Sequence, residues 1–201
     1  MSAPEIARSW EDRYRSGEFG FREPDAFVQM VHAQYLTPLL PAGSTGLDLA
    51  GGAGHHALWL AAQGWRMTLA DIAPTALTMA QQHAAQQGLS DITYVQMSAE
   101  ALVEACRREG RTFDFLLISF FLDRPLLPLL PQMLAPGGLL LYRTYTEDNL
   151  RLGNPRGPRD PDHLLRSQEL LEEFRAMKIF HYNETALHKG VVEFIGQRVV
   201  A

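Results

Sequence analysis

The sequence lacks several features that mark secreted and membrane proteins. Of its 201 residues only Cys106 is a cysteine, so no internal disulfide can form, and we interpret this thiol as a helix residue rather than a nucleophile. No apolar run approaches the roughly 18 residues that a membrane helix needs. The N-terminal segment alternates charged residues and has no apolar stretch typical of a signal peptide. We therefore expect a cytoplasmic protein without a membrane partner.

An excess of basic residues is also missing. The net charge is -5 at pH 7 and the isoelectric point is about 5.8. Because nucleic-acid-binding domains usually carry a basic surface, no nucleic-acid partner is expected. The length suits one domain, 1–201, which we divide into an N-terminal helical cap, 1–43, and a core, 44–201. A monomer or a homodimer is expected.

Strand-like and helical patterns alternate along the core. The predicted strands are 47–50, 66–71, 92–96, 113–121 and 139–145, and helical patterns separate them. Two further strands, 177–185 and 191–200, are joined by a turn at Lys189-Gly190. This order predicts an α/β fold: a doubly wound, Rossmann-like sheet of about seven strands, mostly parallel, with a C-terminal antiparallel hairpin and helices on both faces.

Proline, glycine and serine set several predicted boundaries. A first helix covers 4–16 and a second follows Pro24, and Pro38, Pro41 and Gly43 are expected to break the chain before the first strand. Irregular helix is predicted for 126–134 because it contains two prolines. The turn at 136–138 is expected to precede the fifth strand, Ser98 to cap a helix, and Ser167 to cap another that ends at Phe174.

One stretch, 45–71, has the pattern of a nucleoside-binding site. A short apolar strand containing Asp48 is followed by Gly51, Gly52 and Gly54, then by a helix and a second strand that ends on Asp71. Glycines at such a turn let the backbone approach a ligand closely, and the helix that follows directs its free N–H groups at an anion. The acid that ends the second strand suits the hydroxyls of a ribose.

Two cofactors fit this stretch. The run from Gly52 to Ala57 matches the dinucleotide pattern G-x-G-x-x-A, although such a match alone is weak. Against a dinucleotide, Asp48 precedes the glycines and would repel a pyrophosphate. The same carboxylate could accept a hydrogen bond from the ammonium group of S-adenosylmethionine. The chain also leaves no room for a second domain that would carry hydride-transfer chemistry.

The S-adenosylmethionine interpretation gives each residue a role. Asp48 holds the ammonium, and the backbone around Gly52 and Gly54 approaches the carboxylate and the ribose, with Ala50 and Gly51 in the same loop. Asp71 binds the ribose hydroxyls and Ile72 packs on the adenine. The predicted cofactor-binding residues also include Ser98, Ala99 and Glu100 at the adenine edge and Ser119 at the end of the fourth strand.

At these residues the chain resembles class I S-adenosylmethionine-dependent methyltransferases. The run LDLAGGAGHHALWLAAQGW is similar to the LDLACGxGRNALWLA pattern of the tellurite-resistance and thiopurine methyltransferase-like branch, and Trp10 and Tyr14 match the W-x-x-x-Y of its first helix. The resemblance covers nearly the whole chain and implies a methyltransferase. Ala50 replaces the first glycine of the general class pattern D-x-G-x-G-x-G, a replacement that the branch tolerates. From the branch itself the chain departs at Gly51, which replaces a cysteine, at Ala53, which replaces an acidic residue, and at His55-His56, which replaces Arg-Asn.

Methyl transfer from a sulfonium needs positioning more than a dedicated nucleophile. Aromatic faces stabilise the sulfonium, and Trp10, Tyr14 and Phe120 are proposed for this. No catalytic residue is assigned, but Arg143, Tyr145 and Arg124 are candidates. Arg143 and Tyr145 lie two apart on a strand and share a side, and a buried position is not expected for Arg143.

The segment 150–166 carries further basic residues, namely Arg151, Arg156, Arg159 and His163. They belong either to a solvated loop or to a lid over a substrate. No metal site is expected, because adjacent helix residues such as His55 and His56 diverge by about 100° and no further ligand completes a set.

The predicted function is transfer of a methyl group from S-adenosylmethionine to a small-molecule acceptor of the thiol, chalcogen or hydroxyl type. The alternatives are a nicotinamide-dependent oxidoreductase, a non-catalytic S-adenosylmethionine-binding module, and a methyltransferase acting on protein or RNA.

Overall fold

The computed structural model describes residues 3–153 and 157–199. It divides in sequence after Phe113 into two units, each of which is described separately. The predicted division of a single domain into a cap, 1–43, and a core, 44–201, stays a prediction.

The first unit begins with a set of helices. These are α1 Ala3–Arg15, α2 Ala26–Val31, a π-helix His32–Leu36 and α3 Thr37–Leu39. The Asp25 side chain caps α2 by accepting a hydrogen bond from the Val28 N–H at 3.1 Å. The predicted break before the first strand is found after Leu39, where α3 ends, and Pro38 itself lies in the first turn of α3, where no intrahelical N–H bond is needed.

Three parallel strands and three helices follow in alternation. They are β1 Thr45–Leu49, α4 His55–Ala62, β2 Arg66–Asp71, α5 Pro74–Gln86, β3 Ile92–Gln96 and α6 Ala99–Glu109. The strand order is β3-β2-β1, with Leu49 opposite Ala70 and Asp71 opposite Gln96. The predicted cap is confirmed, since the Ser98 hydroxyl accepts from the Ala101 N–H at 3.3 Å.

Burial of the central strands and hydrogen bonds between two helices stabilise the first unit. β1 and β2 are buried along almost their whole length, as is typical of central parallel strands covered on both faces. Helix α1 is fastened to α5 because the Glu11 carboxylate accepts from the Thr75 N–H at 3.0 Å and from the Thr75 hydroxyl at 2.6 Å.

The second unit contains most of β4 Phe113–Ser119 and the remaining elements. These are a 3-10 helix Arg124–Met133, β5 Leu134–Tyr145, α7 Asp148–Arg151, a 3-10 helix Pro161–His163, α8 Glu169–Glu173, β6 Lys178–Thr185 and β7 Val191–Gln197. Its strand order is β4-β5-β7-β6, and β7 runs antiparallel to both β5 and β6. The described strands form a seven-stranded, mostly parallel mixed sheet, which confirms the predicted fold class.

Several predicted boundaries in the second unit differ from the structure. Pro136-Gly137-Gly138 is part of β5, which starts at Leu134, even though Gly137 has a φ of 79°. Ser167 does not cap α8. The preceding residue is Gln168, whose φ is 62°, and no side chain makes a cap hydrogen bond there.

The start of α8 is held instead by a buried acid. The Glu169 carboxylate accepts a hydrogen bond from the Arg124 guanidinium at 2.7 Å and another from the Arg166 backbone N–H at 2.8 Å. Arg124 also donates to the carbonyl oxygens of Asp162 and Leu164. Burial raises the pKa of Glu169, but these hydrogen bonds outweigh burial and hold the pKa below its ordinary value.

We expect Arg124→Gln to lower the free energy of unfolding by about 1–3 kcal/mol at pH 7, because it leaves a buried carboxylate without its strongest partner. The pKa of Glu169 is lower in the folded state than in the unfolded state. The stabilisation by the Arg124–Glu169 pair is therefore fully present above the unfolded-state pKa, and it is lost as the pH falls through the folded-state pKa. Chemical denaturation at pH 7 and at pH 4 measures both effects.

The matched control is Arg166→Gln, which removes a side chain that is 67% exposed from the same acid. A loss below about 0.5 kcal/mol is expected for it. Equal losses in the two variants would show that Arg124 is an ordinary surface partner.

Within residues 3–153 and 157–199, no helix combines the length and the apolar character needed to cross a membrane.

Candidate functional site

The glycine loop between β1 and α4 turns through left-handed backbone conformations. Ala50, Gly52 and Gly54 have φ values of 56°, 58° and 75°. The Gly54 N–H donates to the Gly51 carbonyl at 3.0 Å, and α4 begins directly afterwards. Alanine in this region costs about 1–2 kcal/mol. Ala50 therefore holds its conformation at an energetic cost that the glycine of the general family pattern would avoid.

Gly51 allows the loop to lie directly on Asp48. A Cβ atom at Gly51 would fall 2.5 Å from the Asp48 Cγ and 2.5 Å from the Leu69 Cδ1. No side chain fits at these distances. The loop backbone is consequently packed against the carboxyl group that the sequence predicts to bind an ammonium.

Asp48 is a buried carboxylate with little to stabilise its charge. It is 1% exposed, and neither of its oxygens accepts a hydrogen bond of good geometry from the described residues. Burial raises its pKa to about 6, opposed by His56 and reinforced by Asp71, with the Ala57 N–H also favouring the charged form. A buried anion without a partner is costly, so this position is suited to a cationic ligand group.

Asp71 stands at the end of the neighbouring strand and binds the loop itself. Its Oδ2 accepts from the Gly52 N–H at 2.8 Å, and its Oδ1 accepts from the Ala73 N–H at 2.9 Å. Burial raises its pKa, and the N–H groups of Ala73, Gly52 and Ile72 oppose that shift. Asp71 thus connects the glycine loop to the start of α5.

The phenol of Tyr14 covers the loop from the side of α1. A Cβ atom at Gly52 would lie 2.1 Å from the Tyr14 hydroxyl, so only glycine leaves room for it. Burial and the charges of Asp71 and Asp48 raise the pKa of Tyr14, while the Ala53 N–H opposes the shift. The hydroxyl therefore stays protonated and can donate a hydrogen bond.

Trp10 is placed less favourably than predicted for contact with a sulfonium. It is 36% exposed. The Arg13 guanidinium lies 4.5 Å from the centre of its ring. A ring face that already receives a cation has less to offer a second one.

The predicted adenine-edge residues lie in the first turn of α6. Ala99 is buried, Ser98 is half-buried and Glu100 is exposed. The Met97 N–H donates to the Asp71 carbonyl at 3.1 Å, so this turn is joined to the end of β2. Ile72 is half-buried at the same edge. Parallel strand order brings these groups together at the carboxyl ends of β1, β2 and β3.

One buried pair beside this edge escaped the sequence reasoning. The His56 Nε2 accepts from the Asp25 N–H at 3.5 Å and lies 3.6 Å from the Asp25 carboxylate. The rings of His55 and His56 have centres 4.0 Å apart, although adjacent helix positions diverge by about 100°. Burial and His56 lower the pKa of His55 to about 3. The replacement of the Arg-Asn pair of the branch pattern by His55-His56 was the sequence feature that could have indicated this contact.

The second unit carries the predicted catalytic candidates. Arg143 is 9% exposed, so the expectation that it avoids a buried position is wrong. Its burial is supported by Glu193, its cross-strand neighbour, at 3.2 Å. The Arg143 guanidinium lies 5.1 Å from the Phe120 ring centre, and the Tyr145 ring lies 4.7 Å from it. Arg143 and Tyr145 therefore share a side, as predicted.

Phe120 is strained as well as exposed. Its φ is 57°, and it is 40% exposed at the end of β4. A bulky residue in this region of backbone space is an outlier, and such strain is often retained at functional sites. The neighbouring Ser119 is half-buried, and its hydroxyl has no hydrogen-bond partner among the described residues.

The other basic candidates are largely accounted for. Arg124 is bound by Glu169 and two carbonyl groups, as described above, and Arg151 pairs with Asp148. Arg159 and His163 are exposed. Arg156 lies outside the described residues. Among the residues that are described, no group of three His, Cys, Asp or Glu side chains is placed to hold a metal ion.

The parallel strands, the glycine loop and the acids at the ends of β1 and β2 define an α/β protein that binds a nucleoside cofactor. A family model described as a methyltransferase domain matches residues 47–138. That segment begins in β1 and ends in β5, and it contains the loop, Asp48 and Asp71. A search of curated protein sequences gives no match.

Solved structures of low sequence identity share the fold. TehB from Haemophilus influenzae is 16% identical with a TM-score of 0.68, and the alignment covers 94% of this chain and 67% of TehB. A SAM-dependent methyltransferase from Aquifex aeolicus is 17% identical with a TM-score of 0.62, covering 99% and 100%. The N-methyltransferase NodS from Bradyrhizobium japonicum WM9, solved with S-adenosyl-L-homocysteine, is 20% identical with a TM-score of 0.61, covering 86% and 88%.

Residues 47–138 therefore match a methyltransferase domain, and the chain shares its fold with solved S-adenosylmethionine-dependent methyltransferases. The predicted enzyme class and cofactor are confirmed at this level. The comparisons do not test which individual residues bind the cofactor, so the predicted site residues stay predictions.

Proposed function

We propose that the chain transfers the methyl group of S-adenosylmethionine to a small neutral acceptor of the thiol, chalcogen or hydroxyl type. The observation that carries the proposal is the unpartnered, buried carboxylate of Asp48 beneath the glycine loop. An ammonium group is the ligand chemistry that relieves such a charge. A pyrophosphate would increase the repulsion, which argues against a nicotinamide dinucleotide.

The residues around Asp48 fit the rest of the cofactor. Asp71 offers carboxylate oxygens to ribose hydroxyls, while Ile72 and the first turn of α6 provide an apolar and polar edge for adenine. Tyr14 excludes water from the loop and can donate its hydroxyl hydrogen. When bound, the cofactor supplies a methyl group already activated on a sulfonium. The protein then has to hold, orient and desolvate the reactants.

The preference for a neutral acceptor rests on the second unit. Arg143, which lies in β5, is paired with the carboxylate of Glu193. Arg124, which follows β4, is paired with the carboxylate of Glu169. A pair already neutralised attracts an anion weakly. Phe120 and Tyr145 offer an aromatic surface instead, and Arg143 would act as a positioning residue for it.

Calorimetric titration separates this function from its alternatives. The purified chain is titrated with S-adenosylmethionine, S-adenosyl-L-homocysteine and NADH. Binding of both sulfur ligands without NADH is expected, and NADH binding alone would identify an oxidoreductase. Methyl transfer is then followed with labelled cofactor on a thiol, a selenol and a phenol, and on tellurite, protein and RNA as competing acceptors. Turnover on tellurite, which is an anion, without turnover on the others would contradict a neutral acceptor. Cofactor binding with no turnover on any of them would favour a non-catalytic module.

The affinity for S-adenosylmethionine is expected to fall as the pH drops below about 6, because only ionised Asp48 attracts the ammonium. The sign follows from the raised pKa: the carboxyl is charged above that value and neutral below it. Titrations between pH 5 and pH 8 measure the midpoint. An affinity that does not change over this range would remove Asp48 from the proposed contact.

A further inference from the structure

A groove lies at the amino ends of β1, β2 and β3, opposite the edge that carries Asp48 and Asp71. It encloses about 370 Å³ and is lined mainly by polar side chains of the first unit. Its lining includes two arginines, Arg66 and Arg111, and the hydroxyl side chains of Thr45, Thr68, Ser90 and Thr93. Sites for small molecules usually measure about 300–1,000 Å³.

The strand register explains how this polar lining arises. Arg66 and Thr68 are two residues apart on β2, so their side chains share one face. Thr45 lies opposite Arg66, and Thr93 lies opposite Thr68. Thr68 is only 5% exposed. Polar side chains are usually exposed, so a buried hydroxyl at this position indicates a polar environment within the groove. A continuous polar stripe therefore crosses three strands.

The two arginines retain most of their hydrogen-bonding capacity. Arg66 donates through Nε to the Gly43 carbonyl at 2.6 Å, and Arg111 donates through Nη2 to the Thr68 hydroxyl at 3.3 Å. The Arg111 guanidinium lies 4.9 Å from the Phe113 ring centre, which fixes its orientation. Neither arginine forms an ion pair within the described part of the chain. Each guanidinium has five N–H donors, so several remain for a ligand.

We propose that this groove is a second binding site, which takes a small phosphate monoester. Planar guanidinium groups and hydroxyls are the donors that suit a phosphate dianion. Only one acid, Asp91, lines the groove, so its lining is net positive although the chain is acidic. The space exceeds that of a bare phosphate, and Met67, Ile92 and Phe113 offer contacts for the rest of the molecule.

Calorimetry with phenyl phosphate tests the proposal. Inorganic phosphate and phenol, which represent the two halves of this molecule, are titrated separately for comparison. We expect phenyl phosphate to bind, inorganic phosphate to bind more weakly and phenol not to bind. Arg66→Gln and Arg111→Gln should each weaken binding about tenfold or more, because each removes a charge-assisted hydrogen bond. Arg66→Gln removes an exposed side chain, so it is expected to fold even if Arg111→Gln does not.

Arg108→Gln is the matched control, because Arg108 is an exposed arginine of the same unit that does not line the groove. It should bind phenyl phosphate with unchanged affinity. Three results would overturn the proposal: no binding to the wild type, equal weakening by the control, or binding of a single-stranded oligonucleotide that phenyl phosphate does not displace. The site is independent of the methyl-transfer proposal, and cofactor affinity should be the same in all three variants.

Discussion

Replacing Asp48 by asparagine is expected to lower the affinity for S-adenosylmethionine about 100-fold at pH 8 and to stabilise the protein. The loss of affinity follows because a buried carboxylate that pairs with an ammonium is worth several kcal/mol. The stabilisation follows because an unpartnered buried charge is removed. With a folded-state pKa of about 6 against an ordinary value of 3.8, ionised Asp48 costs on the order of 2–3 kcal/mol.

The sign of the stability change depends on pH. The folded-state pKa is raised, so the penalty is absent below the unfolded value, grows as the pH rises and is complete above about 6. Denaturant unfolding at pH 4 and pH 8 should show a gain in Asp48→Asn only at the higher pH. Asp91→Asn, which changes an exposed acid, is the control for both measurements. A variant that loses both affinity and stability would mean that Asp48 supports the fold rather than the ligand.

Asp71→Ala should eliminate measurable binding of S-adenosylmethionine and reduce the free energy of unfolding by about 2–4 kcal/mol. The carboxylate accepts hydrogen bonds from the N–H groups of Gly52 and Ala73, and alanine leaves both without it. A buried N–H left unsatisfied costs about 1–3 kcal/mol. The ribose also loses its proposed acceptor. Calorimetry and denaturant unfolding measure the two effects on the same preparation.

Asp71→Asn separates the structural role from the proposed binding role. It keeps one acceptor oxygen of similar size, so its stability should lie between the wild type and Asp71→Ala. Circular dichroism verifies that both variants fold. If Asp71→Ala folds and binds S-adenosylmethionine as tightly as the wild type, then the ribose has been assigned to the wrong residue.

The cofactor site could be proposed from sequence because its pattern is local. Asp48, the glycines and Asp71 lie in one strand-loop-helix-strand segment, and parallel order places the strand ends side by side. Capping chemistry is also local, which is why Ser98 was identified. At Ser167 the same reasoning failed, since the acid next to Gln168 is fixed by Arg124, which lies 45 residues away.

Contacts between distant segments explain the other errors. Arg143 tolerates burial because Glu193 faces it across the antiparallel pair, a register that residue spacing does not reveal. Asp25 reaches His56 from a segment 31 residues earlier. β4 ends at Ser119, two residues before the predicted end, because the backbone of Phe120 has a positive φ. Phenylalanine rarely adopts this conformation, so the sequence did not predict it. The acceptor assignment depends on such contacts and therefore could not be read from local patterns.

A crystal structure of the chain with S-adenosyl-L-homocysteine tests the central claim most directly. We predict the amino group of the ligand at about 3 Å from an Asp48 oxygen, with the ribose hydroxyls on Asp71. A ligand whose amino group contacts neither Asp48 nor the glycine loop would contradict the account.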